Sequence, residues 1–324
     1  MKAIIPAAGI GTRLRPHTYT EPKVLLHVAG KPMLAHILDE LVELGIDEVV
    51  IVVGPMGEKI TDFVRENYKF KAHFVEQKEL LGLGHAVKTA SKHFDNEPAL
   101  IILGDTIFEA DLKSVINSEY DSIGTKHVDD PRRFGIAEVE NGFITELIEK
   151  PPKPESHQAL VGLYYIKRTD LLKECLQEIV DKDMRTKGEY QLTDALQLMV
   201  KKGAKMTTFN VEGWYDCGNV ETTLETNHKL LAKLPPPREI KGSTLIPPVY
   251  VSPSVKVENS IIGPDVSIAD EATIKHSIIR NSIISQGASV SNSILESSLI
   301  GKNAQVSMAF GELNVGDSSQ VGHS

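Results

Sequence analysis

Cysteine is scarce in this sequence, whose 324 residues include only Cys175 and Cys217, far apart and without a CxxC pair. A disulfide framework and a cysteine zinc site are therefore excluded, and the composition fits a reducing cytoplasm. The eleven histidines are scattered without the spacing of metal ligands. Any bound metal would be held by carboxylates, which favours Mg²⁺.

Long apolar runs and an excess of positive charge are also lacking. The longest apolar run falls far short of the ~18 residues that a membrane-spanning helix needs. The N-terminal apolar stretch carries one lysine and is interrupted by Gly9 and Arg13, which is not typical of a signal peptide. The formal net charge of −9 argues against nucleic acid as a partner. We therefore expect a cytoplasmic protein that binds neither membrane nor nucleic acid.

The first part of the chain alternates short apolar segments with amphipathic ones. Strands are predicted at residues 3–6, 48–53, 71–75 and 99–103, and helices after Pro32, at 58–66 and around 86–92. This alternation predicts an α/β domain with a parallel sheet. Between residues 122 and 166, turns separate successive strands, which indicates an added antiparallel part. Helices are predicted again at 170–180, 193–202 and 220–234.

A different pattern follows Pro235, Pro236 and Pro237, which predict a stiff linker over residues 236–248. Branched aliphatic residues then recur every five or six positions, separated by small polar and charged residues. Over residues 249–324 this period predicts a prism-shaped parallel β-helix of roughly four coils, although a β-rich tail of another kind stays open. The recurring residues are Val251, Val257, Ile262, Ile268, Ile274, Ile279, Ile284, Val290, Leu295, Ile300 and Val306.

The segment from Ala3 to Lys23 joins an apolar strand, a glycine loop and three cations, of which the first two are Arg13 and Arg15. Glycine lets backbone N–H groups approach phosphate oxygens, and the cations supply charge that a polyphosphate needs. A GxG loop after a strand is also common in tight turns. The loop has neither a third glycine, since Leu14 stands there, nor the Lys–Ser/Thr ending of a Walker loop. Phosphate binding and a simple turn both stay open.

Charged residues at three other strand ends also have two interpretations. Asp105 follows a buried strand at the sheet edge where ligands bind in open α/β sheets, and it either holds Mg²⁺ or caps a turn. Asp216, beside the single tryptophan Trp214, either binds metal or caps the helix that follows. Lys150 either contacts a phosphate or is an ordinary solvated lysine.

The order of the motifs resembles the sugar-1-phosphate nucleotidyltransferase family over about residues 1–232. The motifs are GIGTRLRP, then PK after five residues, KPM, LGD, FGIAEV, EKP, VGLY, GEYQLTD and WYDCG. The glucose-1-phosphate thymidylyltransferase branch, in its long form with a repeat tail, is the most similar. The resemblance implies a Rossmann-like catalytic domain with a mixed, mostly parallel sheet over residues 1–235. It also implies that the tail at 249–324 is a left-handed β-helix of hexapeptide-like repeats.

The resemblance further implies a role for individual residues. Catalysis would involve two cations and two Mg²⁺-binding carboxylates, namely Arg13, Lys23, Asp105 and Asp216. The nucleotide would lie against Ala7, Ala8, Gly9, Gly11 and Thr12, with Gln77 and Gly82 reading the base. The sugar 1-phosphate would lie against Gly135, Glu149, Lys150 and Gly162. Ala8 and Cys217 depart from the residues usual in the thymidylyl branch, which leaves the base open.

These residues imply an enzyme that takes a nucleotidyl group from a nucleoside triphosphate, dTTP as first choice, and passes it to a sugar 1-phosphate, glucose 1-phosphate as first choice. UTP or GTP are alternative donors. A non-catalytic regulatory subunit is a second class, although such a subunit would be expected to lack some of the charged residues. A bifunctional enzyme with an acyltransferase tail is a third, with His276 or His323 as the base. The tail suggests a homo-oligomer.

Overall fold

The structure is a computed structural model that describes residues 1–322 of the chain. The chain forms two compact units. One contains Met1–Gly9 and Ile37–Trp214, and the other contains Ile10–His36 and the residues from Tyr215 onward. In the described residues no helix has the length and apolar character that a membrane crossing requires.

Residues 1–231 contain seven helices and thirteen strands. The helices are α1 (Met33–Glu43), α2 (Gly57–Asn67), α3 (Leu83–Ala90), α4 (Leu112–Val115), α5 (Thr169–Asp181), α6 (Leu192–Lys201) and α7 (Val220–Leu231). The strands are β1 (Lys2–Pro6), β2 (His27–Val28), β3 (Lys31–Pro32), β4 (Glu48–Val53), β5 (Lys71–Glu76), β6 (Ala99–Ile102), β7 (Thr106–Glu109), β8 (Asp121–His127), β9 (Gly135–Glu140), β10 (Phe143–Glu149), β11 (Gln158–Ile166), β12 (Met206–Asn210) and β13 (Gly213–Asp216).

The sheet of the first unit confirms the predicted α/β class. Its strand order is β10-β9-β11-β6-β1-β4-β5, with β8 pairing with β11 and β12. Strands β6, β1, β4 and β5 are parallel, and they are almost wholly apolar where they are buried on both faces, as in the EVVIVV run of β4. The predicted antiparallel part is confirmed, because β11 runs antiparallel to β6, β8 and β9, and β10 runs antiparallel to β9.

The tail is a left-handed parallel β-helix made of three five-stranded sheets. All eleven recurring aliphatics fall in successive strands, and ten of them are buried, Val257 being partly buried. The strands are β14 (Thr244–Leu245), β15 (Val249–Val251), β16 (Lys256–Glu258), β17 (Ile261–Ile262), β18 (Val266–Ile268), β19 (Thr273–Lys275), β20 (Ile278–Arg280), β21 (Ser282–Ile284), β22 (Ser289–Ser291), β23 (Ile294–Glu296), β24 (Leu299–Ile300), β25 (Gln305–Ser307), β26 (Phe310–Gly311), β27 (Asn314–Val315) and β28 (Gln320–Val321).

Five strands in each sheet correct the expectation of roughly four coils. The outer coils were missed because their strands are short and less regular, as in β26, where Gly311 stands at the register position of Leu295. The first strand, β14, lies inside the range predicted as a linker and pairs with β17. The assignment of 1–235, 236–248 and 249–324 to catalytic domain, linker and β-helix stays a prediction.

Small polar residues at one corner of the β-helix have a structural role. Ser260, Ser277 and Ser293 are buried, and the hydroxyl of each accepts a hydrogen bond from a backbone N–H one coil later, at 3.1 to 3.2 Å. Each hydroxyl also donates to the carbonyl two residues earlier, at 2.7 Å. Serine thus satisfies backbone groups that a corner removes from the sheet hydrogen bonds.

Candidate active site

Several predicted nucleotide-binding residues lie at the carboxyl ends of the parallel strands in the first unit. Ala7 directly follows β1, and its N–H donates to Val52 O at 2.8 Å. Gly54 follows β4 and packs on Ala8, since a Cβ on Gly54 would lie 2.5 Å from Ala8 O. Gly9 is exposed, and a Cβ there would meet no atom within 4 Å. The protein itself therefore does not require glycine at position 9.

Gln77 and Gly82 are brought together at the end of β5. Gln77 is buried, and its Nε2 donates to Gly82 O at 3.2 Å and lies 3.0 Å from His85 Nδ1. Burial lowers the pKa of His85, as does the nearby Lys88, so a neutral ring accepts at Nδ1. Gly82 has φ 107°, and a Cβ there would lie 2.7 Å from Tyr190 O. Glycine is therefore required at position 82 on steric grounds.

Asp105 lies in a turn tied to the neighbouring strand ends. The Gly104 N–H donates to Pro6 O at 3.0 Å, and the Thr106 N–H closes the turn by donating to Leu103 O at 3.0 Å. Gly162, in β11, has φ 93°, and a Cβ on it would lie 2.7 Å from Leu103 Cδ1. The turn holding the half-buried Asp105 thus packs directly on Gly162.

Gly135, Glu149 and Lys150 form a second cluster in the same unit. Gly135 pairs with Glu149 across β9 and β10, and a Cβ on Gly135 would lie 3.0 Å from Glu149 Oε2. Thr193 Oγ1, in α6, donates to that Oε2 at 2.7 Å. Lys150 Nζ lies 3.2 Å from Glu149 Oε1; the Glu149 side chain is 9% exposed and the Lys150 side chain 43%. The cluster presents a fixed carboxylate beside an accessible ammonium group.

Asp194, next to Thr193, adds a second carboxyl group near Glu149. Its pKa is raised, chiefly by burial and also by the Glu149 charge, against a hydrogen bond from Thr186 that lowers it. Its Oδ2 is buried and has no hydrogen-bond partner within residues 1–322. Burial, with a smaller contribution from Glu149, also raises the pKa of Tyr164. The buried carboxyl group of Asp194 therefore lies near the Glu149 carboxylate, which pairs with Lys150.

The remaining predicted residues belong to the second unit. Gly11 is left-handed, with φ 68°, and a Cβ on it would lie 2.9 Å from Lys23 Cβ. The Thr18 hydroxyl donates to Gly11 O at 2.9 Å. Lys23 is 8% exposed, so most of its side chain is buried. Thr12, which follows Gly11 in the sequence, is exposed at the start of a 3-10 turn, Thr12–Leu14.

Arg13 and Asp216 lie side by side over Gly218. The position of a Cβ on Gly218 is 3.0 Å from Asp216 Oδ2, 3.1 Å from Oδ1 and 3.3 Å from Arg13 Nη2. Asp216 and Arg13 are both exposed, whereas Cys217 is fully buried. A Cβ at position 218 would require both charged groups to move by a few tenths of an ångström.

Each unit contains one predicted carboxylate of the donor type that Mg²⁺ takes. Within residues 1–322 no group of three or more His, Cys, Asp or Glu side chains is arranged to hold a metal ion. Asp105 offers a carboxylate in the turn after β6 of the first unit, and Asp216 offers one at the end of β13, in the second unit. Mg²⁺ is commonly bound by one or two carboxylates, with phosphate oxygens and water completing its octahedron, so a single carboxylate of this kind suits it.

Three contacts to predicted residues could not be predicted from the sequence. The GEYQLTD motif supported the resemblance without an assigned role, yet its Thr193 binds Glu149 and its Tyr190 backbone packs on Gly82. His85, which contacts Gln77, was also missed. The place of GEYQLTD among the family motifs could have indicated that it contacts the site. A single histidine on a helix gives no such indication.

Comparisons with known proteins agree with these motifs. Residues 2–233 match the family described as "Nucleotidyl transferase". A glucose-1-phosphate thymidylyltransferase of Streptomyces antibioticus is 32% identical over 314 residues, covering 88% of this chain and 87% of that protein. The bifunctional protein GlmU of Methanocaldococcus jannaschii is 37% identical over 248 residues, covering 75% of this chain and 57% of that protein. A UDP-glucose pyrophosphorylase structure complexed with UDP-glucose has a TM-score of 0.61 at 26% identity, covering 72% of this chain and 99% of that one.

Proposed function

The chain is a sugar-1-phosphate nucleotidyltransferase of the nucleotidyl transferase family, and we propose that it transfers the thymidylyl group of dTTP to glucose 1-phosphate. A phosphate oxygen of the sugar 1-phosphate attacks the α-phosphorus. The bond from that phosphorus to the β-phosphate oxygen breaks, and pyrophosphate leaves with the electron pair. The attacking phosphate is already ionised at neutral pH, so no general base is needed.

The observation that carries the proposal is the Glu149–Lys150 pair. A sugar 1-phosphate has hydroxyl donors on its ring and a dianionic phosphate, which is joined to the ring carbon C1 through one oxygen. Glu149 offers a carboxylate whose orientation is set by Thr193 at 2.7 Å, and Lys150 offers a half-exposed ammonium 3.2 Å away. Adjacent residues therefore supply an acceptor for the sugar and a cation for its phosphate. Gly135 and Gly162 would leave room for the ring.

Base selection is assigned to Gln77. Its Nε2 is directed to Gly82 O and His85 Nδ1, which leaves Oε1 as the acceptor for a base. Thymine and uracil carry a ring N–H that can donate to this oxygen, whereas cytosine has an acceptor at the same place. Thymine is preferred because the thymidylyltransferase relative matches most of the chain, tail included. UTP is the alternative, as the UDP-glucose complex suggests.

Charge neutralisation is the main task of the remaining residues, because one anion attacks another. Arg13 would contact the leaving phosphates and Lys23 the α-phosphate, while Ala7, Ala8, Gly9, Gly11 and Thr12 would border the nucleotide. Asp105 and Asp216 are the proposed Mg²⁺ ligands. A bound Mg²⁺ would offset the negative charge of the phosphate oxygens.

The test is pyrophosphate release over a grid of dTTP, UTP, GTP, CTP and ATP against glucose-, mannose-, galactose- and glucosamine-1-phosphates. We expect dTTP with glucose 1-phosphate to give the highest kcat/KM. Asp105→Asn should lower the rate on the order of 10²–10³-fold, as for other groups that stabilise transition-state charge, with thermal stability retained. Absence of pyrophosphate release with every pair would contradict the proposal and favour a non-catalytic subunit.

An acyltransferase role for the tail is tested separately. Of the two candidate bases, His276 is exposed at a β-helix corner with φ 47°, and its backbone N–H donates to Glu258 O at 3.0 Å. His323 lies outside the described residues. Transfer of an acetyl group from acetyl-CoA to glucosamine 1-phosphate, abolished in His276→Asn, would favour the bifunctional alternative.

A homo-oligomer is proposed through one outer face of the β-helix. Ile261, Ile278, Ile294 and Phe310 occupy one register position in successive strands and point outward, and Phe310 is 70% exposed. Such an apolar column on a surface is typical of an interaction site. Beside it, Arg280 and Glu296 share the next outward register position.

The opposite charges of Arg280 and Glu296 support a second copy of this chain as the partner. A two-fold axis along the strand direction, midway between β20 and β23, places Ile278 opposite Ile294 and Arg280 opposite Glu296 of the partner. Arg280→Glu should therefore lower the mass measured by light scattering, and Arg280→Glu with Glu296→Arg should restore it. A monomeric wild type, or an unchanged mass in Arg280→Glu and in Phe310→Ser, would contradict this interface.

A further inference from the structure

Residues 10–23, called the phosphate loop below, are anchored to the last coil of the β-helix, although the two are almost 300 residues apart in sequence. His17 is 1% exposed, and its Nε2 lies 2.7 Å from Asn314 Oδ1. Asn314 Nδ2 donates to Arg15 O at 3.3 Å. One asparagine side chain thus binds both a side chain and the backbone of the loop.

Asp317 provides a second anchor. The Thr20 hydroxyl donates to Asp317 Oδ2 at 2.6 Å, while Asp317 Oδ1 accepts from the Lys302 N–H of the preceding coil at 2.7 Å. The carboxylate is therefore fixed in the β-helix before it meets the loop. Between the two anchors, Pro16 packs on Gly316, where a Cβ would lie 3.0 Å from Pro16 Cβ.

The anchored residues 15–20 are connected to Gly11 by short hydrogen bonds. Thr18, between His17 and Thr20, donates through its hydroxyl to Gly11 O at 2.9 Å. The Leu14 N–H donates to the same carbonyl at 2.9 Å. Gly11 in turn packs on Lys23, because a Cβ on Gly11 would lie 2.9 Å from the Lys23 Cβ. A shift of residues 15–20 would move Gly11 and the cations on either side of it.

We propose that the last β-helix coil positions the phosphate loop, with Asn314 and Asp317 as positioning residues for Arg13 and Lys23. The inference rests on the proposed function, because it assigns the loop to the nucleotide. Asn314 and Asp317 act through residues 15–20. The tail is then part of the machinery that aligns the nucleotide, and its role is not confined to assembly.

The experiment compares Asn314→Ala and Asp317→Ala with Gln305→Ala. Gln305 is an exposed polar residue of the same region, with no side-chain hydrogen bond to the loop among the described contacts. Steady-state kinetics are measured for dTTP and glucose 1-phosphate separately. Displacement of catalytic groups by about 1 Å can cost on the order of 10²-fold. We expect kcat/KM for dTTP to fall on the order of 10–10²-fold in both variants, with KM for glucose 1-phosphate unchanged.

Hydrogen–deuterium exchange gives a readout independent of activity. Residues 10–23 should exchange faster in Asn314→Ala and Asp317→Ala than in Gln305→Ala, with little change elsewhere. Asn314→Asp keeps an oxygen acceptor facing His17 and should recover part of both effects. If wild type releases no pyrophosphate, the proposed function fails, while exchange still tests the anchoring. Unchanged exchange, unchanged dTTP kinetics, or an equal loss for both substrates would overturn the positioning role.

Discussion

Thr193 Oγ1 donates a hydrogen bond of 2.7 Å to Glu149 Oε2, joining the first turn of α6 to the end of β10. The other oxygen of the same carboxylate, Oε1, lies 3.2 Å from Lys150 Nζ. A residue outside the EKP motif therefore fixes how that motif presents its charge.

Replacing Thr193 with valine should weaken sugar phosphate binding. Valine keeps the shape but removes the donor, so the Glu149 carboxylate loses a hydrogen bond worth about 1.5–3 kcal/mol when one partner is charged. We expect KM for glucose 1-phosphate to rise about tenfold, with KM for dTTP unchanged. Thr61→Val is the matched control, because the Thr61 hydroxyl donates to Gly57 O within α2. Equal effects on both substrates would contradict the assignment.

Alanine substitutions at Gly9 and Gly82 should distinguish a glycine that the nucleotide requires from a glycine that the backbone conformation requires. At Gly9 a Cβ meets nothing within 4 Å, whereas at Gly82 it would lie 2.7 Å from Tyr190 O with φ 107°. Gly9→Ala should leave the melting temperature unchanged and raise KM for dTTP. Gly82→Ala should lower the free energy of unfolding by about 1–3 kcal/mol, the typical cost of such backbone strain. Normal dTTP kinetics in Gly9→Ala would remove Gly9 from the nucleotide site.

Asn227 should be among the most sensitive polar positions of the second unit. It is fully buried; its Oδ1 accepts from Ala29 N–H at 2.9 Å and from Ser267 Oγ at 2.8 Å, and its Nδ2 donates to Asp265 O at 3.2 Å. Asn227→Leu leaves the Ala29 N–H and the Ser267 hydroxyl without their acceptor, whereas Asp265 O keeps a hydrogen bond from the Ser282 N–H at 3.1 Å. We therefore expect a loss of about 3 kcal/mol in chemical denaturation.

The control for that variant is Asn67→Leu, at an exposed position where Nδ2 donates to Phe63 O at the end of α2. Water can replace this donor, so the expected loss is within about 0.5 kcal/mol. Similar losses in the two variants would show that burial of the amide is not the cause.

Acid should destabilise the anchored loop through His17. Burial lowers the pKa of His17, and this outweighs the hydrogen bond to Asn314 and the charge of Asp317, which raise it. The unfolded chain takes up a proton near pH 6.5, while the folded protein keeps the ring neutral. The contribution of neutral His17 to the free energy of unfolding is therefore fully present above roughly pH 7.5, and it is lost as the pH drops through about 6.5.

His17→Gln tests this dependence, because glutamine keeps a donor for Asn314 without a titrating ring. The decrease in melting temperature between pH 7.5 and pH 5.5 should be smaller in this variant than in wild type, with part remaining because burial also lowers the pKa of His27. His276→Asn, at an exposed corner that suits asparagine, is the control. An unchanged pH dependence in His17→Gln would contradict the assignment.

Much of the fold was predictable because its signals are periodic. The predicted strand at 48–53 coincides with β4, and each of the eleven aliphatics from Val251 to Val306 lies in its own β-helix strand. A parallel strand buried on both faces and a repeated coil impose regular spacing on apolar residues. The order of the short motifs was likewise enough to identify the family.

The sequence by itself determined the α/β class, the β-helix and the residue types available for phosphate and sugar chemistry. Only the tertiary structure decided that residues 10–36 belong with the tail, that Asn314 binds His17, and that Thr193 orients Glu149. The reason is physical: burial of apolar side chains repeats along every strand and leaves a pattern in the sequence. A single hydrogen bond between distant polar residues leaves none, because each of those residues could equally have been solvated in a turn.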